Sequence, residues 1–356
     1  MTRGPRTPEP RSTIAVLGEI STGLLGHSAP VPLAAAGDIL TRPFGRTVRT
    51  WTRPIARAVS PDTATGTDCR LPVEGTGKRV RGIGSVLSHT AVTGGRILQG
   101  STYTRVMPSA VDHRLPWSHY LLRPGTVESV GRLSGRPLAR GFFAADDAPD
   151  VLDLGGANRR CLREVQRSPC LDNRPPLKTA RTRLRWAVVL DAENHHEQAE
   201  FTLTGRRTRT LLIRAASLDA LDELVAFSED IARHDWLLTV MDEVLSRLDE
   251  CPIRSRRLRM AAEHLAHLWM PSPTPGPLAA LFWSGFEQDP GFTRQWSAIE
   301  SQVRRTIAAR SFALLDEQRP DRPLASEIAR GSPPPHRPAA PVGRFPLSPV
   351  CRRGGG

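Results

Sequence analysis

The chain has 356 residues, 49 Lys plus Arg against 36 Asp plus Glu, a formal charge of +13, and 39% hydrophobic residues. That length supports one large core or two modest ones, and the hydrophobic share sits at the low end for a folded protein. Five cysteines with no CxxC pair exclude a disulfide framework; an N-terminal stretch interrupted by Glu19 excludes a signal peptide or a membrane span, so the expected compartment is the cytoplasm.

The basic excess is almost wholly arginine, since Lys78 and Lys178 are the only lysines, and GC-rich coding produces this without any binding role. Its distribution says more than its total. Residues 216–318 hold 10 Arg against 16 acidic residues, a net of −6, which leaves +19 for the rest of the chain. An acidic helical block beside a basic remainder holds two parts of one chain together, attracts a polyanion, or does both.

In chain order, residues 1–12 read as a disordered lead and 13–140 as a β-rich portion. Within it, 13–21 is a strand, 32–40 a short helix with Pro32 at its first turn, and 47–59 an extended stretch that Pro54 splits or confines to an edge. Residues 60–77, rich in Thr, Asp, Gly and Pro, read as loop. The clearest β signal is 79–107, two runs flanking Thr93-Gly94-Gly95, where the glycines supply the positive φ of a tight hairpin turn. In the second run Leu98, Gly100, Thr102, Thr104 and Val106 share one face, and Ile97, Gln99, Ser101, Tyr103 and Arg105 the other. A further strand is expected at 126–133, after Pro124-Gly125.

The segments RVRGIGSVLSHTAVTGGRILQGSTYTRV and LPWSHYLLRPGTVESVGRL resemble those of an uncharacterised actinobacterial protein family, over about a third of the chain. The resemblance implies a bacterial cytoplasmic protein of unknown function that works beside a variant P-loop protein encoded nearby. It carries no catalytic motif and transfers no functional residue.

Residues 141–182 read as an irregular connection with one short helix around 158–166, and hence as the domain boundary. The portion 183–316 opens with a strand pair, 183–190 and 200–213, and runs on into a helical bundle with Ser217 as N-cap. Apolar residues recur at helical spacing from Leu218 to Leu248, and Asp222, Glu223, Glu229, Asp230, Asp242 and Glu243 are placed on the other faces. Helices follow at 255–269, 277–286 and 292–315, and the whole helical block holds four of the seven tryptophans, Trp236, Trp269, Trp283 and Trp296. Residues 317–356 form a Pro-rich, mostly disordered tail, with one short helix at 323–330. The fold class is α+β: a mainly antiparallel β-rich N-terminal portion followed by a C-terminal helical bundle.

No reaction site stands out. Gly75-Thr76-Gly77-Lys78-Arg79 lacks the GxxxxGK[ST] spacing of a phosphate loop and leads into a strand where a helix is needed. Glu263, His264 and His267 share a helix and are the metal candidates, but a third or fourth ligand is not evident and half-buried imidazoles on a helix flank are the favoured reading. His195-His196-Glu197 belongs to a hairpin turn, Cys161 and Cys170 lack any nucleophile signature, and Asp146 with Asp147 solvates a loop. Arginine clusters at 159–160, 181–185, 206–209 and 254–259 are the strongest functional signal. For a nucleic-acid alternative, Arg181, Arg183, Arg206, Arg207 and Arg209 are the contact residues, although aromatics at 5% give no stacking platform. The leading expectation is a non-catalytic protein acting through protein contacts, with no cofactor. Nucleic-acid binding and an enzyme of unrecognised type are the alternatives.

Overall fold

The structure, a computed structural model, describes residues 13–44, 47–75, 79–145, 150–190, 197–250, 255–271 and 274–317. Ten strands form one mixed sheet: β1 (Ala15–Leu24), β2 (Arg49–Trp51), β3 (Arg57–Val59), β4 (Thr63–Pro72), β5 (Arg79–Thr93), β6 (Ile97–Pro108), β7 (Thr126–Val130), β8 (Thr182–Leu190), β9 (Gln198–Leu203) and β10 (Thr208–Ala215). Across the sheet they run β2-β3-β5-β7-β6-β1-β8-β10-β9, with β4 also on β5. All pairings are antiparallel except β6–β7 and β8–β10.

The β5–β6 hairpin organises this sheet. Gly94 and Gly95 turn at φ 57° and 62°, a conformation that costs other residues a Cβ clash. The strands pair from Thr93–Ile97 down to Leu87–Tyr103 and then splay, and β7 enters the gap to pair with both. On its other edge β5 holds β4 along its first ten residues and β3 along its last three. β1 joins this half to the other, lying between β6 and β8. There Gly18 packs against the buried Trp186 indole, where a Cβ would come within 2.1 Å of the ring.

Helices cover both faces. One face carries α1 (Leu33–Phe44), α3 (Gly135–Ala144) and α4 (Leu154–Gln166), over cores built from Ala15, Leu17, Val106, Leu138 and Phe142 and from Ile39, Leu40, Val92, Leu98 and Leu162. The other carries the 30-residue α5 (Leu221–Glu250), itself wrapped by α6 (Ser255–Ala266), α7 (Pro277–Gln288) and α8 (Phe292–Glu317). Trp186, Leu211, Ile213, Phe227, Trp236, Phe282 and Trp283 share that larger core. The five-residue α2 (Trp117–Leu121) lies at the β5 side. Residues up to 309 form one compact unit.

The α+β architecture of the sequence reading holds, with every described strand before residue 216 and the helical block α5–α8 after it, although α1–α4 are interleaved with the strands. Four local expectations are corrected. Residues 63–72, read as loop, form β4: its outward residues are Ala64, Gly66, Asp68 and Arg70, which hide a strand whose inward Cys69 and Leu71 are buried. Residues 141–182, read as an irregular connection with one short helix around 158–166, also include the end of α3, and that helix is the longer α4, whose Leu154, Leu162 and Val165 are buried. The strand expected at 200–213 is two strands that turn back at 204–207, so β10 lies parallel to β8 and β9 takes the sheet edge. The helix predicted from Ser217 begins at Leu221, and Ser217 bonds Asp219 instead. Residues 1–12, the helix at 323–330 and the tail from 318 lie outside the described residues.

Candidate functional site

The middle of α5 departs most from the sequence reading. Every residue from Phe227 to Leu238 is buried, Glu229, Asp230, Arg233, His234 and Asp235 included. Glu229 and Asp230 do lie off the apolar spacing, but this stretch of α5 is covered on all sides, and its charges are met by Arg57 and His89 from the sheet and by the Arg233–Asp230 pair within the helix. The interleaving was a legible sign. At 100° per residue the ionisable side chains of EDIARHD point all round the helix, so no single polar face can hold them.

Glu229 is the hub. Its Oε1 lies 2.6 Å from His89 Nε2, its Oε2 accepts from Arg57 Nη2 at 2.5 Å, and its backbone oxygen accepts from Gln99 Nε2 at 2.9 Å. His89 projects from β5 toward α5, and its Nδ1 lies 2.9 Å from Asp62 Oδ1. One helical step along, Asp230 accepts from Arg233 Nη1 at 2.7 Å and from the Thr274 hydroxyl. A carboxylate at each ring nitrogen fixes His89 as an imidazolium donating twice. Burial works against that charge, but the Glu229 carboxylate and the bonds to Asp62 and Glu229 outweigh it and push the pKa up to about 9. Burial also disfavours the Glu229 charge; His89 and Arg57 overcome this and hold the carboxyl down at about 2. Neither ring nitrogen is left as a base, so in this geometry His89 supplies fixed positive charge, not proton transfer.

The network borders a cavity of about 540 Å³ between α5 and the β2–β3–β5 part of the sheet. His89, Thr93, Tyr103 and Arg57 line it from the sheet, Val225, Glu229 and Arg233 from α5, and Thr274 and Pro275 from the α6–α7 connection. Trp51 and Arg49, with the guanidinium 6.0 Å from the indole centroid, stand on the β2 side. Asp222 and Glu223 also line it, the latter accepting from the Ala279 amide at 2.7 Å where α7 begins. In the sequence none of this group stands out as a site. Its polar groups come from positions as far apart as Arg57 and Glu229, 172 residues, and no short motif spans that distance.

The sequence-derived candidates lie elsewhere. His264 is half-buried with Nε2 3.1 Å from the Gly94 carbonyl oxygen, so it braces the hairpin turn, and burial lowers its pKa. Glu263 and His267 are exposed beside a smaller hollow between α5, α6 and α8. Among the described residues no group of three or more His, Cys, Asp or Glu is arranged to hold a metal. Arg209 is buried against Asp235 at 2.8 Å, and Arg183 meets Glu19 at 2.7 Å. Arg181 is exposed with its stem over Gly23, while Arg206 and Arg207 are exposed in the β9–β10 turn. The five arginines are thus not gathered on one face for phosphates. Cys161 is half-buried on α4, its thiol pKa raised by burial, and Cys170 is exposed. Gly75 sits in a turn and Arg79 opens β5, whereas Thr76, Gly77, Lys78, Asp146, Asp147, His195 and His196 lie outside the described residues, as do the side chains at 254–259.

Among the described residues no helix is long and apolar enough to cross a membrane. Comparison with protein-family models, with curated proteins and with solved structures found no match to this chain.

Proposed function

We propose that this chain is a non-catalytic ligand-binding protein of the bacterial cytoplasm, and that the cavity beside α5 takes up a small organic molecule. One observation carries the reading: a cavity of about 540 Å³, in the size range of small-molecule sites, with a buried network of ions for its floor and apolar side chains along its walls. The described cysteines, Cys69, Cys161 and Cys170, are free thiols, in keeping with a reducing compartment. A small-molecule library screened by thermal shift tests the proposal. A binder raises the unfolding midpoint of the native chain, and Ala226→Phe, which fills the cavity, abolishes the rise. A library without a stabilising compound, or a rise that survives Ala226→Phe, overturns it.

The surface of α2 favours a second reading, contact with a partner protein. Leu121 and Leu122 are 60% and 82% exposed, beside Trp117 with Arg114 stacked 5.1 Å from its ring. Apolar side chains grouped in this way mark protein contact sites. Co-elution with the P-loop protein encoded nearby, lost in Leu121→Ser/Leu122→Ser, supports it; an unchanged elution volume in its presence opposes it. Nucleic-acid binding has less support, since Arg183 and Arg209 are held by Glu19 and Asp235.

A further inference from the structure

Among the side chains that line the cavity, the buried polar atoms left without a partner are guanidinium nitrogens and one hydroxyl. Arg57 gives Nη2 to Glu229, but its Nη1 stays 3.9 Å from Asp230, beyond hydrogen-bond reach, and its Nε is buried without a partner. Thr93, 1% exposed, has a buried hydroxyl with no partner. Arg233, 2% exposed, meets Asp230 through Nη1 and leaves Nε and Nη2 unpartnered. Buried polar groups are ordinarily satisfied, so several unmet donors around one hollow point to an acceptor from outside the chain. Tyr103 adds another donor, because burial and the carboxylates of Asp62, Asp222 and Glu229 keep its phenol protonated.

The charges agree. Around the floor stand three cations, Arg57, His89 and Arg233, against two buried carboxylates, Glu229 and Asp230. The third carboxylate, Asp62, is 37% exposed and already bonded to His89. One negative charge would balance the buried part of the floor. Elsewhere in the lining Asp222 and Glu223 are matched in number by Arg49 and Arg53, so the lining calls for no further negative charge, which disfavours phosphate esters and other polyanions. Ile55, Val59, Val225 and Ala226 supply the apolar remainder of the lining.

We propose that the cavity binds a small organic monocarboxylate, its head among Arg57, Tyr103, Thr93 and Arg233 and its apolar body along Ile55, Val59 and Val225. The inference rests on the ligand-binding reading above and adds the chemical class. A guanidinium suits it, since its planar fork matches a carboxylate.

Calorimetry and thermal shift on the full chain test it with two matched sets, octanoate, octanol and octylamine, and benzoate, benzamide and benzylamine, with inorganic phosphate alongside. In at least one set the carboxylate binds about tenfold or more tighter than its neutral and cationic partners, and phosphate does not bind. Tyr103→Phe and Thr93→Val, near-isosteric changes that leave the ion pairs intact, each weaken that carboxylate about tenfold while the ligand-free unfolding midpoint stays in place. If one variant fails to fold, the other carries the test. Equal binding of a neutral or cationic partner, binding of phosphate, or unchanged affinity in both variants overturns the carboxylate inference and leaves the ligand-binding reading standing. Where no member of either set binds while another library compound does so in the cavity, only the carboxylate inference falls; where nothing binds, both fall.

Discussion

The two faces of the sheet each bury a carboxylate between cations, and they use it differently. On the α4 face Glu19 of β1 lies 2.7 Å from Arg183 Nε and 3.3 Å from Arg185 Nε. Arg185 also donates Nη1 to the carbonyl oxygens of Phe142, Phe143 and Ala145 at the end of α3, with its guanidinium 5.4 Å from the Phe142 ring. Gly155 closes the arrangement, because any Cβ there would lie 2.4 Å from Glu19 Oε1. On the α5 face Glu229 has equally short contacts to His89 and Arg57, but the donors around it are not used up and the space beside it is open. A buried ion pair therefore does not mark a site by itself. The first cluster ties α3 and α4 to β1 and β8, and the second has room for something more.

Removing each hub should separate a joint from a site. Glu229→Ala leaves His89 and Arg57 without their shared counter-charge, and an uncompensated buried charge costs about 3–5 kcal/mol, read as a fall in urea stability. A loss under about 1 kcal/mol would mean that the network is not formed. Glu19→Ala should cost somewhat less, about 3 kcal/mol, because Arg185 keeps its carbonyl partners, and it should leave ligand affinity in the α5 cavity unchanged. A drop in affinity there would break the distinction between the two faces.

The pH dependence sharpens the same contrast. His89 has its folded pKa raised from 6.5 to about 9, so its stabilisation is complete below pH 6.5 and is lost as pH rises through 9. Glu229, held near 2 instead of 4.5, contributes above pH 4.5 and loses that contribution as pH falls through 2. His234 acts in the opposite sense to His89. Buried and pressed down to about 3, it stays neutral in the fold, so stability declines as pH falls below 6.5 and the unfolded chain alone takes up the proton. Stability measured against pH should peak near 6.5, with His89→Gln flattening the alkaline limb and His234→Gln the limb between 6.5 and 3. Unchanged limbs in the two variants would contradict these assignments. The smallest effect belongs to the surface: Leu122→Ser should alter stability by less than about 0.5 kcal/mol, since the side chain is 82% exposed. A larger loss would show that α2 is packed.

Much of the fold was legible, and the site was not. The Gly94-Gly95 turn, the facing pattern of β6 and the break at Pro54 between β2 and β3 are local matters of φ and period, and the sequence carries them openly. β4 was hidden because an outward face of Ala, Gly, Asp and Arg has the composition of a loop; its pairing with β5, not its propensity, makes it a strand. α5 was recognised as a helix from its apolar spacing, but whether Glu229 meets water or His89 depends on what covers the helix. His89 and Glu229 are separated by 140 residues, and only the chain's return across the sheet brings them together.

The central claim is that α5 buries a charged network against the sheet, with His89 held between Asp62 and Glu229. Nitrogen NMR of the His89 ring, titrated in the native chain and assigned through His89→Gln, tests it most directly. Protons on both Nδ1 and Nε2, with the ring charged at neutral pH and titrating near 9, are the expected result. A neutral ring at pH 7 that titrates near 6.5 and exchanges freely with solvent would contradict it.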